Sequence, residues 1–312
     1  MSDQIADQPV LSFRDLSYSF LNGGFALTGI SGDLYAGEHT VLIGVSGSGK
    51  STLMALAAAL LCPSHGQILL HNEPVPGPDQ RLVPGHESIV LMRQQPEFSL
   101  GMTCRQLLMQ HLRAYERTWA EAETLRLLKL CGLYHFQDRL PNTMSGGEQQ
   151  RLALAIALST HPAVLLLDEP LSKIDPYQKA QLAADLKQIA AEEGVACLWV
   201  LHEPELAILI ADQIWVMQHG SIVQQGDTET VYFCPQTLSI GELLGPINQL
   251  PAHLWDRFPK AKAQGGFLRP SQVPITSDMP VLRTQFLGLY TLVWVEVDGV
   301  EVVGSLNPKP AP

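Results

Sequence analysis

The 312-residue sequence predicts an α/β chain, with a large domain built on a parallel sheet followed by a small all-β domain. Three observations carry this. Val164-Leu165-Leu166-Leu167 is an apolar run without alternation, the pattern of a parallel strand covered on both faces. Thr40-Val41-Leu42-Ile43 leads through a glycine-rich stretch into the helix formers Leu53 to Leu60, which makes strand, loop and helix in succession. From Val281 to Ser305 the chain alternates apolar and polar residues around Asp298-Gly299, as antiparallel strands joined by a tight turn do.

Along the chain, Ser17-Tyr18-Ser19-Phe20 reads first as a strand whose alternation puts Tyr18 and Phe20 on one side. Gly44-Val45-Ser46-Gly47-Ser48-Gly49-Lys50-Ser51 then fits G-x-x-x-x-G-K-[ST] between a predicted strand and helix. Glycines here let backbone N–H groups wrap a phosphate chain, and the following helix directs its positive end at the same anion. Lys50 supplies a point charge to the β and γ phosphates, and the Ser51 hydroxyl is placed to ligate Mg²⁺. With Thr52 behind it, this is a predicted ATP-binding loop.

Residues 102–139 read as helical, with the polar stretch 116–123 between two apolar-periodic runs. Ser145-Gly146-Gly147, followed by Glu148-Gln149-Gln150-Arg151, opens a further helix and offers a second anion-ready N-terminus. Asp168 ends the buried strand 164–167, where a carboxylate reaches Mg²⁺ as the partner of Ser51. Glu169, not tied to the metal, suits a general base that polarises the attacking water. The apolar run Cys197 to Leu201 leads to His202, and short strands at 212–217 and 221–224 flank a His219-Gly220 turn. Pro246, Pro251, Pro259, Pro270, Pro274 and Pro280 then break the chain before strands at 281–286, 289–297 and 300–305; residues 307–312 read as a frayed tail.

Composition narrows the class. An apolar share of 46% with 16% charged residues describes a well-cored globular protein. No stretch reaches the roughly 20 apolar residues that cross a bilayer, and no basic-then-apolar leader opens the chain. The expected location is the cytosol, with any membrane attachment supplied by a partner. Five cysteines without metal-like spacing read as reduced thiols. A net charge of −11 argues against a nucleic-acid partner, which needs clustered Lys and Arg.

The ordered set of phosphate loop, Ser145-Gly146-Gly147, Asp168-Glu169 and His202 resembles the ATP-binding cassette (ABC) ATPases, over residues 10 to 237. The resemblance implies a P-loop NTPase core with a helical subdomain at 102–139 and an antiparallel β subdomain. It also implies that Ser145, Gly146 and Gly147 act in trans on ATP held by a second subunit of a head-to-tail homodimer. Asp175 matches the loop that touches the partner's site, and His202 the histidine that senses the γ-phosphate; Asp212 fits the same pattern. Phe20 matches the aromatic that stacks on adenine, with core packing as the rival reading, stronger for Tyr18. In Arg93-Gln94-Gln95-Pro96 two glutamines compete to approach Mg²⁺ and the water; the placing of Thr103 favours Gln94, with Gln95 as the fallback. Phe98, Leu100 and Met102 would lie in the groove that receives a permease, or simply pack locally.

Gly266-Phe267-Leu268-Arg269-Pro270 resembles the Arg-Pro motif with which import-type relatives enter a C-terminal OB-like (TOBE) domain. The expected organisation is an ATPase domain at 1–237, a linker at 238–265 and a small β domain at 266–312. Met144, Glu148 and Lys173 depart from common family residues without removing a phosphate, metal or base group. The function so implied is the ATPase subunit of an importer of iron(III), a polyamine or a similar small solute. It would be peripheral on the inner face of the membrane, with permease subunits as partners and an extracytoplasmic solute-binding protein acting indirectly. Two rivals stand beside it: a non-transport cassette ATPase of translation or DNA repair, and a soluble P-loop kinase.

Overall fold

A computed structural model of the protein describes residues 8–20, 25–94, 96–172, 174–276, 279–287 and 290–306. Its contacts divide the chain into two compact units, 1–223 and 224–312. The first begins with β1 (Leu11–Ser19), β2 (Phe25–Leu34), β3 (His39–Ile43), α1 (Lys50–Ala57), β4 (His65–Leu70), β5 (Glu73–Pro74) and β6 (Ile89–Met92). It continues through α2 (Cys104–His111), α3 (Arg117–Leu130), α4 (Gly146–Leu158), β7 (Val164–Asp168), α5 (Pro176–Glu192), β8 (Ala196–Val200), α6 (Pro204–Ile210) and β9 (Gln213–Gln218), and reaches β10 (Ser221–Asp227).

Six strands in the order β10-β9-β3-β8-β7-β6 form the main sheet, in which β9, β3, β8, β7 and β6 run parallel. Every residue of β3 and β8 is buried, as expected of strands that carry no polar face. A separate antiparallel sheet, β2-β1-β4-β5, supplies Phe13, Leu16 and Ile30 to a core shared with Leu53 and Met54 of α1 and with Leu42, Leu166 and Trp215 of the main sheet. Phe13 meets Trp215 edge to face at 5.8 Å. One consequence is positional: α1 is clamped between two sheets, so its N-terminus is held firmly where β3 ends.

Asp212 anchors the opposite end of β3. Its carboxylate accepts from the His39 backbone N–H (2.9 Å) and from Lys187 Nζ (2.7 Å). The helical region differs from the expected run in its break, which falls at 112–116. The Glu116 carboxylate caps α3 by accepting from the Thr118 and Trp119 N–H groups, so most of the polar stretch lies inside the helix.

The second unit contains α7 (Thr228–Phe233), α8 (Leu238–Glu242), β11 (Asn248–Gln249), α9 (Pro259–Ala263), β12 (Phe267–Leu268), β13 (Val281–Phe286), β14 (Thr291–Val297) and β15 (Val300–Leu306). The last three strands form an antiparallel sheet, and Asp298 (φ 50°) and Gly299 (φ 79°) take the left-handed turn that an Asp-Gly pair favours. The stretch 238–265, expected as a linker, brings Leu250, Leu254, Phe258 and Ala261 into one core with Val293, Val295 and Val302. Arg269 of the Arg-Pro motif is fully buried, donating to the carbonyls of Tyr232, Gly241, Gly245 and Pro246 and stacking on the Tyr232 ring at 4.0 Å. Residues 307–312 lie outside the described residues.

Candidate functional site

The glycine loop turns at the end of β3, the end of a parallel strand where ligands sit in open α/β sheets. A Cβ on Gly44 would stand 2.2 Å from the Met217 carbonyl oxygen. Gly49 combines a left-handed φ of 108° with contacts at 2.7 Å to Leu27 and 3.0 Å to the Ala26 carbonyl. Neither position tolerates a side chain, which leaves the backbone free to curl around an anion.

Lys50 is buried, and its Nζ donates to the carbonyls of Gly44 (2.8 Å) and Val45 (3.0 Å). Burial pushes its ammonium pKa down, while the charges of Glu169 and Asp168 pull it up. The lysine therefore folds over its own loop and spans the place where phosphates would lie.

Around it opens a cleft of about 260 Å³ lined by Phe20, Ala26, Ser46, Gly47, Gly49, Lys50, Ser51, Thr52, Glu169, Val200 and His202. Nine of these eleven are predicted site residues; Ala26 and Val200 are not. Phe20 is 47% exposed at the cleft, while Tyr18 packs against the core and meets Phe20 edge-on at 5.2 Å. The two aromatics thus divide their tasks: Tyr18, within β1, anchors, and Phe20, just beyond its end, is presented.

Asp168 ends β7 with its carboxyl pKa raised, first by burial and then by the neighbouring Glu169 charge. Glu169 takes a left-handed backbone (φ 48°), rare for a non-glycine residue and typical of strained functional positions. Its Oε1 meets His202 Nε2 at 2.7 Å. This contact follows from the sheet: β7 and β8 are adjacent and parallel, with Asp168 beside Val200, so the residues just beyond both strands meet. The hydroxyl of Ser51 and the carboxylate of Asp168 are the hard oxygen donors Mg²⁺ prefers. An under-compensated carboxylate beside a buried lysine fits such a cation.

Other predicted residues stand apart. Gly44 and Ser48 are buried beneath the loop, outside the lining of the cleft. Gln94 donates its amide to Ser172 Oγ at 2.7 Å, also outside that lining. Gln95, the fallback, lies outside the described residues, as does Lys173. Ser145 caps α4 in a reciprocal box with Glu148, and Ser145 and Gly146 are exposed. Neither they nor Gly147 nor Asp175 lines the cleft. A second hollow, about 290 Å³, is lined by Arg93, Phe98, Leu107, His111, Ile156 and neighbouring residues. Phe98 also borders a third, where Leu100 stands 93% exposed; Met102 lines neither.

The family described as ABC transporter matches residues 27–172. The iron(III)-import ATP-binding protein FbpC 2 of Haemophilus influenzae is 29% identical over 96% of this chain and 91% of its own. The sulfate/thiosulfate-import ATP-binding protein CysA of Thermosynechococcus vestitus is 35% identical over 85% and 78%. Among solved structures, CbiO1 of Clostridium perfringens, described as part of the ABC transporter complex CbiONQ, superposes with a TM-score of 0.67 at 28% identity, covering 72% of this chain and 91% of that one.

Proposed function

The chain belongs to the ATP-binding subunits of ABC import transporters, and from this we propose that the cleft beside Lys50 hydrolyses ATP with Glu169 as the general base. The activity of the family is ATP hydrolysis coupled to transport. The observation that carries the assignment is the 2.7 Å contact between Glu169 and His202 on the cleft wall. A carboxylate held by a second group, lining the same cleft as Lys50, supports a general base there.

In this reading the loop N–H groups and Lys50 bind the phosphates, and Phe20 stacks on the base. Ser51 and Asp168 would hold Mg²⁺, which neutralises phosphate charge when bound. Glu169 takes a proton from water as the water oxygen adds to the γ-phosphorus and the bond from that phosphorus to the β,γ-bridging oxygen breaks, releasing ADP and phosphate, while His202 fixes the carboxylate orientation. Exposure of Ser145 and Gly146, away from the cleft, supports a head-to-tail homodimer in which each signature helix covers the partner's nucleotide. The hollow at Phe98, with apolar walls and Arg93, Glu97 and His111 around them, suits a short permease helix. No helix among the described residues is long and apolar enough to cross a membrane, so the pathway belongs to those permease subunits.

Relatives of similar identity carry iron(III) and sulfate in their names. The solute is accordingly a small one, chosen by the permease and a solute-binding protein outside the ATPase. The test uses tagged Glu169→Gln. It should bind ATP normally, hydrolyse it at less than about a hundredth of the wild-type rate, and carry a polytopic permease through mild-detergent purification with ATP. Residual turnover above that level would remove Glu169 from the base role; ribosomal or DNA-repair partners would remove the transport role.

A further inference from the structure

The parallel register of β6 and β7, Met92 beside Leu167, brings the residues beyond both strands together, so Gln94 emerges next to Glu169. The glutamine side chain nevertheless does not enter the cleft. Its Nε2 donates to Ser172 Oγ at 2.7 Å, and the Gln94 backbone carbonyl accepts from Gln150 Nε2 at 3.2 Å. Ser172 is itself tied to the catalytic strand end, its N–H donating to the Glu169 carbonyl at 3.2 Å. Gln150 sits on α4, 4% exposed, with its Oε1 buried and unpartnered among the described residues. A buried glutamine that leaves its oxygen unsatisfied while its nitrogen reaches a loop carbonyl is poorly explained as packing, because a methionine would fill that space without desolvating an amide.

We propose that Ser172 is a positioning residue that stores Gln94 outside the ATP cleft, with Gln150 as a second tether from α4. The proposal rests on the reading of the cleft as the hydrolytic site. Among the described residues Gln94 carries the only side-chain amide that the register places beside Glu169, and in the stored arrangement one of its two N–H donors is taken by a hydroxyl. Turnover by the isolated subunit is then limited by the fraction of molecules in which that hydrogen bond is open. The Ser172 hydroxyl is exposed, so the bond is a weak one that can be exchanged rather than a permanent support. Because Gln150 lies on the helix that Ser145 caps, displacement of α4 would pull on Gln94 directly.

The experiment compares Ser172→Ala and Ser172→Thr with the wild type, in the absence of any permease. Loss of one such bond should raise kcat by roughly 2- to 12-fold, with KM for ATP little changed. Threonine, which keeps the hydroxyl, should behave as wild type. Amide hydrogen exchange in a peptide spanning residues 90–100 should be faster in Ser172→Ala without nucleotide and restored in Ser172→Thr, a readout independent of hydrolysis. Gln150→Met, close in shape, should accelerate exchange in the same peptide, and it serves as the test should Ser172→Ala fail to fold. A folded Ser172→Ala with unchanged or lower kcat and unaltered exchange overturns the proposal, as does equal acceleration by threonine. If the wild type hydrolyses no ATP, the site assignment fails instead, and exchange alone decides whether Gln94 is stored.

Discussion

Lys50 holds its charge among backbone carbonyls rather than against a carboxylate, an arrangement that bound phosphate can replace without an ion pair having to break. Lys50→Ala should therefore weaken ATP binding by roughly 10- to 100-fold, the scale of one charge-assisted contact, in a titration with a fluorescent nucleotide. Undiminished affinity would show that the loop N–H groups suffice and that the lysine serves elsewhere. Residues of this kind were legible in the sequence because their chemistry is contiguous: a phosphate loop needs its glycines, lysine and serine within one turn of chain. The contact from His202 to Glu169 could be guessed only from family likeness, because it depends on which strands become neighbours. Ser172 gave no signal, since nothing in a lone serine says that a glutamine from another loop will reach it. Ala26 and Val200 escaped for a different reason: they are small apolar residues of a kind found throughout the core, with no chemistry to mark them as lining the cleft.

At the scale of elements, β3 is fixed at both ends, by the phosphate loop at one and by Asp212 at the other. His39, its first residue, is fully buried, with Nδ1 accepting from Trp199 Nε1 at 3.0 Å. Burial pushes this imidazole from about 6.5 down to about 4. The folded state therefore keeps His39 neutral where the unfolded chain would protonate it. Stability present above pH 6.5 should fall as the pH drops toward 4, by up to about 3 kcal/mol from this residue. Urea titrations of the wild type and His39→Gln across that range check it, since the variant should lose that part of the slope. The periodicity of 102–139 revealed helix but not its interruption, because Glu116, the cap of α3, shares the polar character of the residues inside that helix. Likewise the prolines of 238–265 looked like a spacer, yet Leu254 and Phe258 between them are core residues of the second unit. Proline counts register breaks in regular structure, not exposure.

For the whole molecule, the proposed division of labour between the cleft and the helix that Ser145 caps would make one copy insufficient. Glu169→Gln should sediment as a dimer with ATP and as a monomer with ADP; a monomer under both conditions would mean that each copy completes its own site. A net charge of −11 opposes non-specific self-association, so nucleotide rather than surface attraction would have to drive the proposed pairing. The left-handed backbone of Glu169 adds a consequence of another kind. Side chains other than glycine hold that conformation only under steric strain, and glycine holds it freely. The chain would fold more securely without the group proposed as the general base, so on that reading durability and turnover pull this position in opposite directions. A lineage that ceased to need the motor while keeping the clamp would drift toward glycine at 169, leaving a subunit that grips nucleotide and never lets the cycle finish.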